Sequence, residues 1–330
     1  MSERVAIIGS GSWATALAKL FLNNCTSINW FMRKDEDVAF FKEYKNNPRY
    51  LSSVEFDTDA IVFFTDLKSC IQASDYLVLA IPSAFLNESF SGLKPADLSN
   101  KIIFSAIKGI VPEHNLIVGE YLHKIYSVPF EQIGVITGPC HAEEVALEKL
   151  SYLTIASTGA SHAATISRLL NCRYLKSTVS DDIYGTEYSA VLKNVIAVAG
   201  GICHGLGYGD NFLAVLVSNA IQEIQAFVDA VHPIDRDIKA SAYLGDLLVT
   251  AYSQFSRNRM FGTMLGKGYS VKQAQLEMNM IAEGYYAVKC VYEINKQYQV
   301  NMPITNAVYN VVYQKANVKK EIARLSDLLS

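Results

Sequence analysis

A charged side chain among aliphatic residues loses hydration unless something pairs with it or uses it. Lys193 sits in such a run, Tyr188-Ser189-Ala190-Val191-Leu192-Lys193-Asn194-Val195-Ile196-Ala197-Val198-Ala199. The run is apolar nearly all round, so it reads as a buried helix. Desolvation lowers an ammonium's pKa, and a second cation nearby lowers it more. A lysine in that state can accept a proton near neutral pH. The alternative is a buried structural pair with Glu187 or another acid. Lys108 ends Phe104-Ser105-Ala106-Ile107-Lys108-Gly109, at the C-terminal end of an expected parallel strand. Open α/β sheets bind ligands beyond that edge; a surface lysine is the plainer reading. Asp246 lies in Leu244-Gly245-Asp246-Leu247-Leu248, where its competing role is a helix N-cap. Ser256-Arg257-Asn258-Arg259 reads as a compact loop whose donors suit a phosphate, or else as a solvated basic turn. Cys140-His141 invites a nucleophile, but adjacent residues do not normally face each other, and no covalent chemistry is expected there. His114, His123, His162, His204 and His232 show no ligand spacing, and no metal site is expected.

The elements that must position these residues begin with Gly9-Ser10-Gly11-Ser12-Trp13-Ala14, into which the first strand candidate, Val5–Gly9, runs and which opens a helix. In G-x-G-x-x-A, Gly9 allows a tight turn and Gly11 lets a pyrophosphate approach the backbone. Ala14 packs helix on strand, and the helix start offers free N–H groups. In that context the pattern points to dinucleotide binding rather than an ordinary strand–helix turn. The second strand ends in Trp30-Phe31-Met32-Arg33-Lys34, with no acid at Arg33 to grip a ribose 2′-hydroxyl. A cation there suits a 2′-phosphate, which leans the reading to NADPH over NADH; Arg33 stacked on adenine is the alternative.

Further strand candidates are Ile28–Met32, Tyr76–Ile81, Ile102–Ser105, Gly134–Thr137, Leu153–Ala156 and Tyr174–Leu175. Helix-like stretches such as Trp13–Asn23 and Asp35–Lys45 lie between them. Continuously apolar strands alternating with helices predict a parallel sheet covered on both faces. Beyond about Asp181 helical patterns take over: Thr186–Gly201, Phe212–Val231, Ser241–Tyr252, Val271–Met278, Gly284–Tyr298 and Thr305–Tyr313. The expected fold is α/β: an N-terminal Rossmann-type, mostly parallel sheet domain over 1–185, then an all-α helical domain over 186–330. The 330 residues are 50% hydrophobic and 18% charged, with net charge −3, which excludes disorder and disfavours a nucleic-acid partner. Six cysteines without C-x-x-C spacing read as reduced thiols. The first strand starts too early for a secretory signal and no transmembrane span is expected, so a cytoplasmic protein is the simplest expectation.

These segments together resemble bacterial NAD(P)-dependent sn-glycerol-3-phosphate dehydrogenase. The resemblance is carried by GSGSWATALA at 9–18, AIKGI at 106–110, GPCHAEE at 138–144 and AVLKNVIAVAGGICHGLGYGDN at 190–211. LGDLLVTAYSQFSRNRMFG at 244–262, EGYYAVKCVYE at 283–293 and MPI at 302–304 complete it in family order. It implies that Lys193 exchanges the proton of the C2 oxygen between glycerol 3-phosphate and dihydroxyacetone phosphate. Lys108 contacts substrate and cofactor. Asp246, helped by Asn194, orients the reacting end. Ser256, Arg257 and Asn258 take the phosphate, with Arg257 also near the cofactor, and Gly138 and Cys140 line the substrate side. Gly9, Gly11, Ser12, Trp13, Arg33, Tyr50, Ala142, Ile281 and Glu283 meet the cofactor. The site is expected in the cleft between the domains. The resemblance further implies a cytoplasmic homodimer that feeds glycerophospholipid synthesis. Where the family carries Ser or Thr followed by Phe, this chain has Cys140-His141, so a contact at Cys140 runs through its backbone N–H. Two rivals stand beside this reading: a related two-domain NAD(P)-dependent hydroxyacid dehydrogenase, and a non-catalytic dinucleotide sensor.

Overall fold

The computed structural model describes residues 3–253, 256–278 and 282–330. The chain forms two compact units, Met1–Ile107 with Val118–Ile183, and Lys108–Ile117 with Tyr184–Ser330.

In the first unit, short strands build one sheet whose central members are buried on both faces. They are β1 (Val5–Ile8), β2 (Ile28–Phe31), β3 (Ile61–Phe64), β4 (Tyr76–Leu79) and β5 (Ile102–Ser105). After a two-stranded hairpin, β6 (Ile110–Val111) and β7 (Leu116–Ile117), which belongs to the second unit, come β8 (Ile133–Thr137), β9 (Ser151–Ala156) and β10 (Leu175–Ser180). The order is β10-β9-β8-β5-β4-β1-β2-β3, parallel throughout except between β8 and β9. Helices α1 (Ser12–Phe21), α2 (Asp35–Tyr44), α3 (Leu67–Gln72), α4 (Leu86–Phe90), α5 (Pro95–Leu98), α6 (Val118–Tyr126), α7 (Ala142–Ala146) and α8 (Ala160–Leu170) supply the crossovers. The fully buried residues of β1 and β4 account for their unbroken apolar runs. Trp30 anchors one end of the core, with Phe41 and Phe56 at 5.2 and 5.7 Å between ring centroids. β3 is absent from the sequence reading: its apolar run is only four residues long, and it forms an edge strand with Ile61 buried and Val62 exposed. β10 runs longer than expected, because it is a largely exposed edge with few apolar residues, and β9 begins two residues earlier than expected, at Ser151.

The second unit is helical: α9 (Ile183–Gly205), α10 (Asp210–Val231), α11 (Asp246–Tyr252), α12 (Arg257–Gly266), α13 (Val271–Glu277), α14 (Glu283–Tyr298), α15 (Pro303–Tyr313) and α16 (Val318–Ser326). α9 and α12 cross in backbone contact. A Cβ on Gly262 would lie 2.1 Å from the Val198 carbonyl oxygen, and one on Gly201 would lie 2.1 Å from that of Arg259. The expected single helix over 241–252 is instead one π-helical turn, Ser241–Gly245, followed by α11. Ser256–Arg259 is not a loop: Ser256 caps α12 by accepting from Arg259 N–H, and the helix starts at Arg257. The lack of an apolar stripe in its first turn hid it. Of the described helices, α10 has the length and apolar content to cross a membrane. Leu213, Leu216, Ala220, Ile224 and Phe227 on it are instead packed in the helical core.

Candidate active site

Helix α9 is buried along most of its length, and Lys193 is carried inward with it. Its Nζ donates to Asp246 Oδ1 at 2.6 Å and to Thr250 Oγ1 at 2.9 Å. Lys108 Nζ reaches the same carboxylate, at 3.2 Å from Oδ1 and 3.1 Å from Oδ2. The Lys193 side chain is 7% exposed and that of Asp246 2%, while Lys108 keeps 19%, so Lys108 is the most open member of the cluster. The acid beside Lys193 is thus Asp246. Asp246 is not an N-cap either: Gly245 holds the cap position and Asp246 begins α11.

Burial brings the Lys193 ammonium down to about 7; Asp246 pulls it back up in part, and Lys108 pushes it the same way as burial. Burial alone would raise the Asp246 carboxyl, but the two lysines outweigh it and hold it below the usual carboxylate range. The result is one buried carboxylate shared by two ammoniums, one of which gains or loses its proton near neutrality.

Thr250 was missed from sequence. It stands one helical turn after Asp246 and donates to the Asp246 carbonyl at 2.7 Å, which aims an oxygen lone pair at Lys193. The i, i+4 spacing was the available signal. Asn194 and Asn258 are both buried; Asn194 donates to the Lys108 carbonyl, and Asn258 to Asn194. Ser256 is buried at the cap of α12, and Arg257 beside it is exposed. Glu283 opens α14, and Ile281 lies outside the described residues.

In the sheet unit, Gly9 has φ +132°, and a Cβ there would lie 2.5 Å from the Ala80 carbonyl oxygen. Gly11 caps α1, and a Cβ on it would meet nothing within 4 Å. No side chain caps α1 and no acid occupies its first turn. Trp13 Nε1 is buried with no hydrogen-bond partner among the described residues. Open space above Gly11, a bare helix start from Ser12 and an orphaned donor fit a dinucleotide's phosphates. Asn47, which no local pattern marked, braces this loop by donating to the Ser10 carbonyl at 3.0 Å and to Thr15 Oγ1 at 2.8 Å. Its Oδ1 also accepts from Tyr50 N–H, which places Tyr50 on the same support. Arg33 is exposed just past β2. Gly138 and Cys140 follow β8, and Ala142 begins α7.

A glycine loop on a parallel sheet and a lysine of near-neutral pKa clamped by one aspartate define a dinucleotide-dependent dehydrogenase with a separate helical unit. The two parts of one family description cover almost all of this architecture. The chain belongs to the NAD-dependent glycerol-3-phosphate dehydrogenase family: residues 4–163 match its N-terminus and residues 182–323 its C-terminus. It is 32% identical over 331 residues to glycerol-3-phosphate dehydrogenase [NAD(P)+] of Limosilactobacillus reuteri, covering 99% of this chain and 98% of that one. With the enzyme of the same name from Latilactobacillus sakei it shares 34% over 330 residues, covering 98% and 96%. The crystal structure of glycerol-3-phosphate dehydrogenase from Coxiella burnetii superimposes with a TM-score of 0.90, at 26% identity over 98% of each chain.

Proposed function

We propose that this chain interconverts dihydroxyacetone phosphate and sn-glycerol 3-phosphate. The observation that carries the reading is the Lys193–Asp246–Lys108 cluster, in a chain whose relatives bear that activity in their names. In the reductive direction the Lys193 ammonium donates its proton to the C2 carbonyl oxygen. In the oxidative direction neutral Lys193 takes the proton of the C2 hydroxyl. Asp246 and Thr250 hold Nζ in place for both. Lys108, the more open cation, faces the developing charge on the oxygen. A bound nicotinamide dinucleotide supplies or takes the hydride at C2. Gly9, Gly11, Ser12 and Trp13 hold its phosphates, with Arg33, Tyr50, Ala142, Ile281 and Glu283 as further contacts. Arg257, the Asn258 main chain and the Ser256 hydroxyl, whose oxygen accepts from Arg259 N–H and whose own proton stays available, take the substrate phosphate. Gly138 and the Cys140 backbone line the substrate.

Exposed Arg33 at the end of β2 supports NADPH as the preferred cofactor. The resemblance also supports a cytoplasmic homodimer supplying glycerol 3-phosphate to membrane lipids; sedimentation of the purified chain tests the dimer. The deciding experiment follows NADH or NADPH absorbance with dihydroxyacetone phosphate against a panel of 2-oxo acids. Turnover of the triose phosphate is expected. Preference for an unphosphorylated oxo acid, or tight cofactor binding with no turnover of any substrate, would overturn the reading.

A further inference from the structure

Two buried asparagines connect the reacting lysines to the start of α14. Gly284 N–H donates to Asn258 Oδ1 at 2.9 Å, Asn258 Nδ2 donates to Asn194 Oδ1 at 2.9 Å, and Asn194 Nδ2 donates to the Lys108 carbonyl at 2.6 Å. The two ends settle the polarity of the chain. A backbone N–H only donates and a carbonyl only accepts, so both amides must turn oxygen toward Gly284 and nitrogen toward Lys108. Flipping either amide would set oxygen against oxygen or N–H against N–H. Asn194 is 5% exposed and Asn258 8%, so a broken link here leaves a buried polar group unsatisfied. The packing converges on the same point: a Cβ on Gly284 would lie 2.6 Å from the Asn194 carbonyl oxygen, so α14 presses directly on α9 there.

We infer that Asn258 is a positioning residue whose side-chain amide, acting through Asn194, fixes the main chain of Lys108, whose ammonium reaches Asp246, and ties it to the first turn of α14. The inference rests on the reading of Lys108 and Lys193 as the reacting end. It changes what Asn258 does in this chain. Its amide faces two protein partners, so its contribution to a substrate phosphate comes from the main-chain N–H in the first turn of α12. Glu283, next to Gly284, then stands on a helix start that is coupled to Lys108 by three hydrogen bonds in series.

The test uses the full-length enzyme with Asn194→Ala, Asn258→Ala and the double variant. Misplacing Lys108 by a fraction of an ångström lowers kcat by about tenfold or more, while KM for dihydroxyacetone phosphate moves less than about threefold. Once one link is open the second costs little, so the double variant is expected to be no slower than the slower single one, and its Tm loss is less than the sum of the two. Asn258→Asp has the same shape but cannot donate to Asn194, so it falls with Asn258→Ala; Asn258→Ser, which both donates and accepts, recovers part of kcat. If Asn258→Ala does not fold, the contrast between Asp and Ser carries the test. A loss confined to KM, or additive losses in kcat and Tm, would overturn the inference. An inactive wild type would instead sink the proposed reaction, and the Tm cycle would still decide the relay.

Discussion

Lys193 Nζ lies 2.6 Å from Asp246 Oδ1, and the same carboxylate receives Lys108 at 3.1 and 3.2 Å. The three groups carry one negative and two positive charges in a place where water is nearly excluded. Burial lowers the Lys193 pKa, whereas at Asp246 the two lysines outweigh burial and keep the carboxylate ionised. Proton exchange at neutral pH follows from that division.

Lys193 must be neutral to accept a proton and charged to give one. With its pKa at about 7, kcat/KM for glycerol 3-phosphate oxidation rises through that pH and levels above it, whereas that for reduction falls across the same point. Initial rates in both directions from about pH 6 to 9 check the inversion. Lys193→Ala lowers kcat by about 10²-fold or more with an unchanged circular dichroism spectrum; near wild-type turnover would remove Lys193 from the mechanism.

Asp246→Asn removes the charge that pulls the Lys193 pKa upward, leaving burial and Lys108 acting downward together. The rising limb of the oxidation profile should move to lower pH than in the wild type. Two lysines left without their shared carboxylate should also cost about 3–5 kcal/mol of stability, read by urea unfolding. A limb that stays put or moves upward would contradict the shared-carboxylate arrangement.

Gly11→Ala separates folding from cofactor binding. The position has φ −77°, and a Cβ there meets nothing within 4 Å. Tm is expected to hold within a degree or so, while KM for the dinucleotide rises by about tenfold, because the added methyl occupies the space the pyrophosphate needs. A large Tm loss with cofactor affinity intact would reverse that assignment.

Arg33→Gln tests cofactor choice. Loss of a charge-assisted contact of about 1.5–3 kcal/mol lowers the NADPH-to-NADH ratio of kcat/KM by tenfold or more, with NADH kinetics little changed. An unchanged ratio would assign Arg33 to the adenine ring or to solvent.

Glu223 on α10 accepts from Ile304 N–H, Thr305 N–H and the Thr305 hydroxyl, and so caps α15 from a distance. Burial raises its carboxyl from 4.5 to about 7, against those donors. Between these values the folded chain holds a proton that the unfolded chain has released. The Glu223 contribution to stability is therefore full below 4.5 and lost as pH rises through 7. The Tm of wild type minus that of Glu223→Gln should shrink from about pH 5 to pH 8. A difference that is flat or grows would show that the carboxylate is charged throughout.

Much of this was legible in residue order. Val5–Ile8 and Tyr76–Leu79 are apolar without a break because both faces are covered, and Gly9 and Gly11 stand where a strand must turn into a helix. Lys193 and Asp246 stand out in the sequence because ions among aliphatic residues lose hydration unless they are paired or used. β3 was not legible although Ile61–Phe64 is apolar throughout, because so short an apolar run does not by itself tell a strand from a buried helix segment. Helix α12 was hidden behind three polar residues, since its start is defined by the Ser256 cap rather than by a buried stripe.

Local composition settles which segments must be buried and which side chains would then be costly to bury, because hydration is lost residue by residue. It does not choose partners. That Lys193 meets Asp246 across 53 positions, that Lys108 shares the carboxylate, and that Lys108–Ile117 joins the helical unit are outcomes of long-range packing. The shift of Lys193 to about 7 follows from those partners, because a buried ion's charge state is set by neighbours that only the folded chain brings within a few ångströms.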